Sequence, residues 1–503
     1  MVSEINTVTF NGINTVDVNV QVSISPGLPA FNIVGLPDKT IAESKERIRA
    51  ALNSIALAMP PKRVVINLAP ADLMKEGSHF DLPIMIGILV GLNVIPAEAV
   101  ENFIVIGELG LNSQILPVNG ILPAAIKAAT KNMGIICPQE NGSEALWSGN
   151  DSIIAAPHLL SLINHFKGTS YIAAPSPVEL PQEVSLNKHL DFKDVIGQET
   201  TKRILEISAA GNHNVLMIGS PGAGKSMLAA RMPSILPPMS PEEILETSMI
   251  YSVMGEIKNG QLNYTRPFRA PHHSASQVAI VGGGHSKRIM PGEISLAHNG
   301  ILFLDELPEF SRAIIDSLRQ PLETKEISIS RAGSFVKYPA NFQLIAAMNP
   351  CRCGYLNQPN QQCSKAPKCG EEYQNKISGP IIDRFDLFVE VHTVPEYEHS
   401  LVEKNETSEE IKQRVIKARI FQKERFEKAS YKTNASLDGD LLYSNTKIDD
   451  DSKNLLNSFA KKMSISMRSY NRILKVSRTI ADLEQKDNIE KHHISEAISY
   501  RFY

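Results

Sequence analysis

Apolar positions recur along this chain in two rhythms. Val16 to Ile24 alternates apolar and polar residues, the two-residue period of a strand with one buried face, whereas Ser44 to Leu57 carries a helical period. Val64 to Leu68 is continuously apolar and reads as a buried strand. The longest apolar segment, Leu82 to Ile95, contains Pro83, Gly87, Gly91 and Asn93 and is too short to cross a bilayer, so a buried helix is expected there. Pro175, Pro177 and Pro181 interrupt both rhythms between Gly168 and Glu183, as a linker does. From Asp191 to His392 strand-like and helix-like runs alternate again, the order of a parallel sheet covered by helices. Beyond Pro395 the chain is charged and helical. Met467 to Leu483 sets Ile473, Leu474, Val476, Ile480 and Leu483 on one face. The expected class is α/β, divided into a domain at 1–166, a linker at 167–190, an α/β core at 191–394 and a helical domain at 395–503.

Composition narrows the function little but usefully. The chain has 503 residues, 43% hydrophobic and 21% charged, with a net charge of −3. A globally basic nucleic-acid binder is therefore excluded, and any DNA contact must come from local patches or from the inside of a ring. Met1 to Phe10 lacks the basic-then-apolar order of a secretory signal. With five cysteines and no such signal, a disulfide framework is not expected; a cytoplasmic, non-membrane protein is.

The chemistry concentrates at Gly219-Ser220-Pro221-Gly222-Ala223-Gly224-Lys225-Ser226, a complete phosphate-binding loop between the apolar run Val215 to Ile218 and a helix-forming run, Met227 to Arg231. Its glycines let the backbone approach phosphates, and the amides at the helix start complement negative charge. Lys225 can reach the outer phosphates of ATP, and the Ser226 hydroxyl can ligate Mg2+. A second apolar run, Ile301 to Leu304, delivers Asp305 and Glu306 to its tip. Asp305 suits Mg2+, and Glu306 suits orienting and activating a water. A third, Leu344 to Met348, ends at Asn349, placed either to sit between water and phosphate or to cap the turn before Pro350.

These motifs, with Asp194-Val195-Ile196-Gly197-Gln198 before the loop and Asp383-Arg384-Phe385-Asp386 after it, resemble an AAA+ ATPase. The stretches Arg266 to His273 and Gly292 to Gly300 narrow the likeness to the magnesium chelatase-like branch, and within it to the ComM/YifB family, over essentially the whole chain. The resemblance implies a central AAA+ P-loop sandwich with a small C-terminal helical lid. It implies that Arg384 is an arginine finger reaching a neighbour's ATP, that Arg468 is a second sensor arginine, and that the chain forms a homo-oligomer, a hexameric ring in this class. Residues 255 to 298 are expected to hold an insertion lining the pore. A hairpin is expected at Ile327 to Tyr338, offering Arg331, with Lys325 and Lys337 nearby, to DNA phosphates. His272 and His273, adjacent on a loop, suit a structural or allosteric role better than metal binding.

Cys351, Cys353, Cys363 and Cys369 lie in a polar, nearly core-less loop from Pro350 to Gly379, where a structural Zn2+ would act as a staple. The N-terminal region, with Val64 to Ile88, Gly107-Glu108-Leu109 and Ile115 to Gly120, is similar to the proteolytic domain of Lon, a ribosomal S5 domain 2-like α+β fold. His79 stands at the serine's place and Leu122 at the lysine's, which removes nucleophilic catalysis, and Ser78 and Lys75 are too close in sequence to replace that dyad. Basic residues there, including Lys39, Lys45, Arg47, Arg49, Lys62 and Arg63, are candidate phosphate contacts.

The expected function is an ATP-driven DNA motor, a helicase or branch-migration factor in homologous recombination during natural transformation. The alternatives are the motor subunit of a magnesium chelatase and an ATP-dependent protein remodeller.

Overall fold

A computed structural model describes residues 2–177, 190–284, 289–331, 334–356, 365–393, 405–426 and 433–501. The first sheet has seven strands in the order Ala30–Val34, Arg63–Ala69, Asn14–Ser25, Val2–Asn11, Phe103–Val105, Gly134–Pro138 and Ile153–Ala156. Its hairpin turns at Gly12, whose φ of 69° needs no Cβ, and the last three strands run parallel. The apolar segment forms the helix Asp81–Gly91, buried along nearly its whole length because Gly87 lets Val22 of the sheet approach. Among the described residues no helix is long and apolar enough to cross a membrane.

The second sheet is wholly parallel, in the order Phe268–Arg269, Ile301–Leu304, Gln343–Met348, Val215–Gly219 and Leu387–Val391. Alternate residues split between two cores, as the strand period requires. Val215, Met217, Phe303, Ile345 and Val389 face one core, which also holds Ile411, Val415, Ile473 and Ile480 of the C-terminal helices Ser408–Arg425 and Met467–Leu483. Leu216, Ile218, Leu304, Leu344 and Ala346 face another, shared with Ile327, Ile329, Val336 and Tyr338. The small helical domain thus packs directly on the sheet that carries the phosphate loop.

Two antiparallel pairs pack beside this core. Glu326–Arg331 pairs with Ser334–Pro339, where a hairpin is expected from sequence. Gly282–Gly283 pairs with Met290–Pro291, inside the expected insertion. The Pro350 to Gly379 segment departs from expectation. It contains the helix Lys368–Gln374, and Tyr373 and Ile377, one helical turn apart, are buried with Cys351.

Candidate nucleotide site and its surroundings

The strand Val215–Gly219 runs into a left-handed turn at Gly222 (φ 77°) and Gly224 (φ 90°), and the helix Lys225–Ile235 starts at once. A Cβ on Gly219 would lie 2.3 Å from the Val391 carbonyl oxygen, so the loop can leave the sheet there only as glycine. A Cβ on Gly222 would meet open space, so that glycine is set by its positive φ alone.

Three strand tips converge on the loop. The Lys225 ammonium donates to the carbonyls of Gly219 (2.7 Å) and Ser220 (2.9 Å) and to Asn349 Oδ1 (3.1 Å). The Ser226 hydroxyl donates to Asp305 Oδ2 at 2.6 Å, and Asp305 Oδ1 accepts from the Glu306 amide at 2.9 Å. Burial lowers the Lys225 pKa, and the nearby carboxylates of Asp305 and Glu306 work against that shift. A hydroxyl and a carboxylate this close form a hard oxygen donor pair of the kind Mg2+ takes while keeping waters. A group bearing phosphates would replace the carbonyls now gripped by Lys225. Asn349 therefore belongs to the site as well as preceding the Pro350 turn.

Glu306 sits in the left-handed region (φ 52°), which turns its half-exposed side chain out of line with the strand. Its Oε2 lies 3.2 Å from His273 Nδ1. The His273 ring packs against His272, with centroids 4.1 Å apart, and edge-on to Phe310. The histidine pair thus reaches Glu306, the carboxylate expected from sequence to activate water, a partnership that sequence spacing does not reveal.

The two arginines lie elsewhere. The Arg384 carbonyl accepts from Asn214 Nδ2, at the start of the strand whose far end carries the phosphate loop. That five-residue strand spans roughly 16 Å. Arg384 is mostly buried and pairs with Glu323, and Arg468 Nη2 reaches the same Glu323 Oε1 at 3.0 Å. Burial lowers the Arg384 pKa; Glu323 opposes this, while Arg468, Arg472 and Arg319 add to it. Neither arginine is positioned to touch the phosphate loop of its own chain, and Glu323 holds them together on the opposite face.

Some expected contacts are reassigned. Lys325 immediately precedes the hairpin, whose first strand begins at Glu326. It ends the helix Arg319–Thr324 with φ 60°, and its side chain lines a cavity against the C-terminal domain. Lys337 does lie on the hairpin, with its ammonium 3.3 Å from Glu326 Oε2. Arg331 closes the pairing opposite Ser334, and its side chain lies outside the described residues. Arg47 is a structural ion pair to the buried Asp81 rather than a free phosphate contact. In the N-terminal domain His79 contacts the Val8 carbonyl at 3.0 Å, the Ser78 hydroxyl donates to Glu108, and the buried Lys75 donates to the Pro70 carbonyl. Ser78 and Lys75 are thus engaged apart from each other. Leu122 is buried, and its amide donates to Glu144 Oε1.

The zinc expectation gains no support. Cys351 and Cys353 have sulfurs 3.1 Å apart, Cys363 lies outside the described residues, and Cys351, Cys353 and Cys369 do not bring three sulfurs together. Among the described residues only Glu484, His492 and His493 converge as three potential ligands. There His493 Nδ1 accepts from the Glu490 amide at 2.8 Å. Its proton therefore sits on Nε2 and is donated to Glu484 at 3.1 Å, a hydrogen bond where a metal would need a bare nitrogen.

Comparison with known proteins adds the following. Residues 191–399 match the family described as magnesium chelatase, subunit ChlI. Residues 20–141 match subunit ChlI of Mg-chelatase, and 405–501 match the magnesium chelatase subunit ChlI C-terminal family. The chain is 42% identical over 495 residues to competence protein ComM of Haemophilus influenzae, covering 97% of this chain and 95% of that one. It is 42% identical over 491 residues to YifB of Escherichia coli, again covering 97% and 95%. The magnesium-chelatase 38 kDa subunit of Cereibacter sphaeroides is 23% identical over 229 residues, covering 41% of this chain and 60% of that one.

Proposed function

Because the chain belongs to the ComM/YifB family and carries magnesium chelatase-type modules along its length, we propose that it is an ATP-dependent motor that moves DNA. The observation that carries the enzymatic half is the convergence of Lys225, Ser226, Asp305, Glu306 and Asn349 at one edge of a parallel sheet. Lys225 binds and orients the outer phosphates. Ser226 and Asp305 hold Mg2+, which neutralises phosphate charge when bound. Glu306 orients water and takes its proton, and Asn349 fixes the position of the Lys225 ammonium.

Arg384 and Arg468 support assembly into a ring. Both lie on the face away from their own phosphate loop, where a neighbour's nucleotide would receive them as paired positive charges. A hexamer is the closed arrangement we assign. Glu323 holds the two arginines in the free subunit, and assembly replaces that carboxylate with phosphate.

The DNA half rests on the hairpin. Its arms pack against the core through Ile327, Ile329, Val336 and Tyr338, and the returning arm also meets the Gly12 turn of the N-terminal domain. Phe335, the second residue of the returning arm, lines a cavity beside the N-terminal domain yet is 56% exposed, and offers a ring for stacking on a base. The relative from Haemophilus influenzae is called a competence protein, which favours branch migration or unwinding during recombination of incoming DNA in natural transformation. The N-terminal domain is assigned a Lon-like fold without protease activity.

The test is ATP-dependent strand separation of a fluorescently labelled four-way junction. The proposal expects separation by the native protein and none by Lys225→Ala. ATP hydrolysis without strand movement on forked and four-way substrates would instead favour a motor working on a protein or chelatase partner.

A further inference from the structure

At the edge of the second sheet opposite the phosphate loop, a cavity of about 280 Å³ opens between the core and the C-terminal domain. It is lined by three cations, Arg266, Lys325 and Arg419, and by a single carboxylate, Glu243. That carboxylate is already taken, since it accepts from Arg266 at 2.9 Å and caps the helix Pro241–Met254 through the Ser240 amide at 3.0 Å. No second carboxylate lines the cavity among the described residues. The Arg419 guanidinium donates through Nε and Nη2 to the Ala209 carbonyl, and its Nη1 has no hydrogen-bond partner among the described residues. The Lys325 ammonium has no hydrogen-bond or ion-pair partner among the described residues. Asn212, Asn341 and Thr433 also line the cavity, and their side-chain polar groups are likewise unpaired among the described residues. Two cations, two amides and a hydroxyl thus line one partly open cavity.

We propose that this cavity is an oxyanion site, in which a phosphate-sized anion is held between Lys325 of the core and Arg419 of the C-terminal domain. Charge-assisted hydrogen bonds from a guanidinium and an ammonium are the strong kind, and the surrounding amides complete the coordination of a tetrahedral anion. Burial holds the Lys325 pKa below its ordinary value, with Lys475 adding to the shift and Asp386 opposing it. It does the same for Arg419, where Arg266 adds repulsion and Glu243 opposes it. An anion in the cavity relieves both costs. Because the two cations belong to different domains, the bound anion ties the position of the C-terminal domain to the core. Inorganic phosphate left by hydrolysis and the phosphate of a nucleotide share the required chemistry.

The test uses the full chain carrying Lys225→Ala, which disables the phosphate loop as a competing anion site. Inorganic phosphate and ADP are titrated separately by calorimetry, at ionic strength held constant with chloride. The site predicts saturable binding of at least one, weakened tenfold or more by adding Lys325→Gln, a change that removes charge without removing a contact. Tighter binding of inorganic phosphate assigns a free oxyanion, and tighter binding of ADP assigns a nucleotide's phosphate. Arg419→Lys, which keeps the charge but loses the planar fork, should give intermediate weakening. Absence of binding in the Lys225→Ala chain, or binding unchanged by Lys325→Gln, would overturn the proposal and leave Arg419 as a cap on the helix Glu199–Gly211.

Discussion

At the scale of single residues, the site separates groups that hold from groups that react. Lys225 is held by two main-chain carbonyls and Asn349, so Lys225→Ala should abolish ATP binding along with hydrolysis. Glu306 makes no contact with the phosphate loop, so Glu306→Gln should bind ATP normally while hydrolysis falls by about 10²–10⁴-fold, the usual contribution of a general base. Equilibrium binding of a fluorescent ATP analogue beside steady-state hydrolysis separates the two. His273→Ala frees the Glu306 carboxylate and should change kcat while leaving ATP affinity unchanged; a change in affinity alone would show that His273 acts on the nucleotide instead. What sequence reading recovers here is what is contiguous. The loop, the Asp305-Glu306 pair and Asn349 each sit at the end of an apolar run, and a strand tip is a place where chemistry is legible. The contacts of His273 with Glu306, and of Glu323 with Arg384 and Arg468, join residues far apart in sequence whose partners are fixed only by the fold.

At the scale of elements, the N-terminal domain is locked to the core through a buried carboxylate. Glu144 Oε1 accepts from Ser252 Oγ of the helix Pro241–Met254 at 2.5 Å and from the Leu122 amide at 3.1 Å, and burial raises its pKa. Beside it Trp147, the chain's single tryptophan, donates to the Gly260 carbonyl at 2.8 Å across the same junction. Tryptophan fluorescence therefore reports docking directly. Glu144→Ala should shift the emission to the red and expose the ring to a soluble quencher, whereas Glu144→Gln keeps the acceptor oxygen and should not. A folded-state pKa above the unfolded value means this carboxyl favours the docked state most when protonated. Docking should thus be tightest below about pH 4 and should weaken as pH rises through the raised value. An emission maximum insensitive to pH and to Glu144→Ala would show that the junction does not depend on this group. The strand-and-helix alternation of both sheets was readable because the periods of two and of about 3.6 differ so plainly. Lys325 directly precedes the hairpin in sequence, but its cavity against the C-terminal domain is set by the fold. A left-handed residue at the helix end turns its side chain toward the opposite domain instead.

At the scale of the whole molecule, the proposed ring makes function depend on groups from two subunits. The parallel sheet puts the phosphate loop at one end and Arg384 at the other, so on the proposed reading each site takes its arginine from a neighbour. Arg384→Ala should reduce kcat by about 10³–10⁵-fold, the range for an arginine acting on a transferring phosphoryl group, with ATP binding retained. Mixing Arg384→Ala protein with Lys225→Ala protein should restore part of the activity, because some interfaces then pair an intact loop with an intact arginine. No recovery, in mixtures shown to co-assemble, would place Arg384 outside the neighbour's site. The C-terminal helices share one buried core with the sheet through Ile411, Val415 and Ile473.

Whether that change is spent on DNA is decided by steady-state ATP hydrolysis of the native chain with and without forked and four-way DNA. A DNA motor predicts strong stimulation, absent in Lys225→Ala and Glu306→Gln and weakened in Arg331→Ala. Robust hydrolysis that no DNA alters would contradict it.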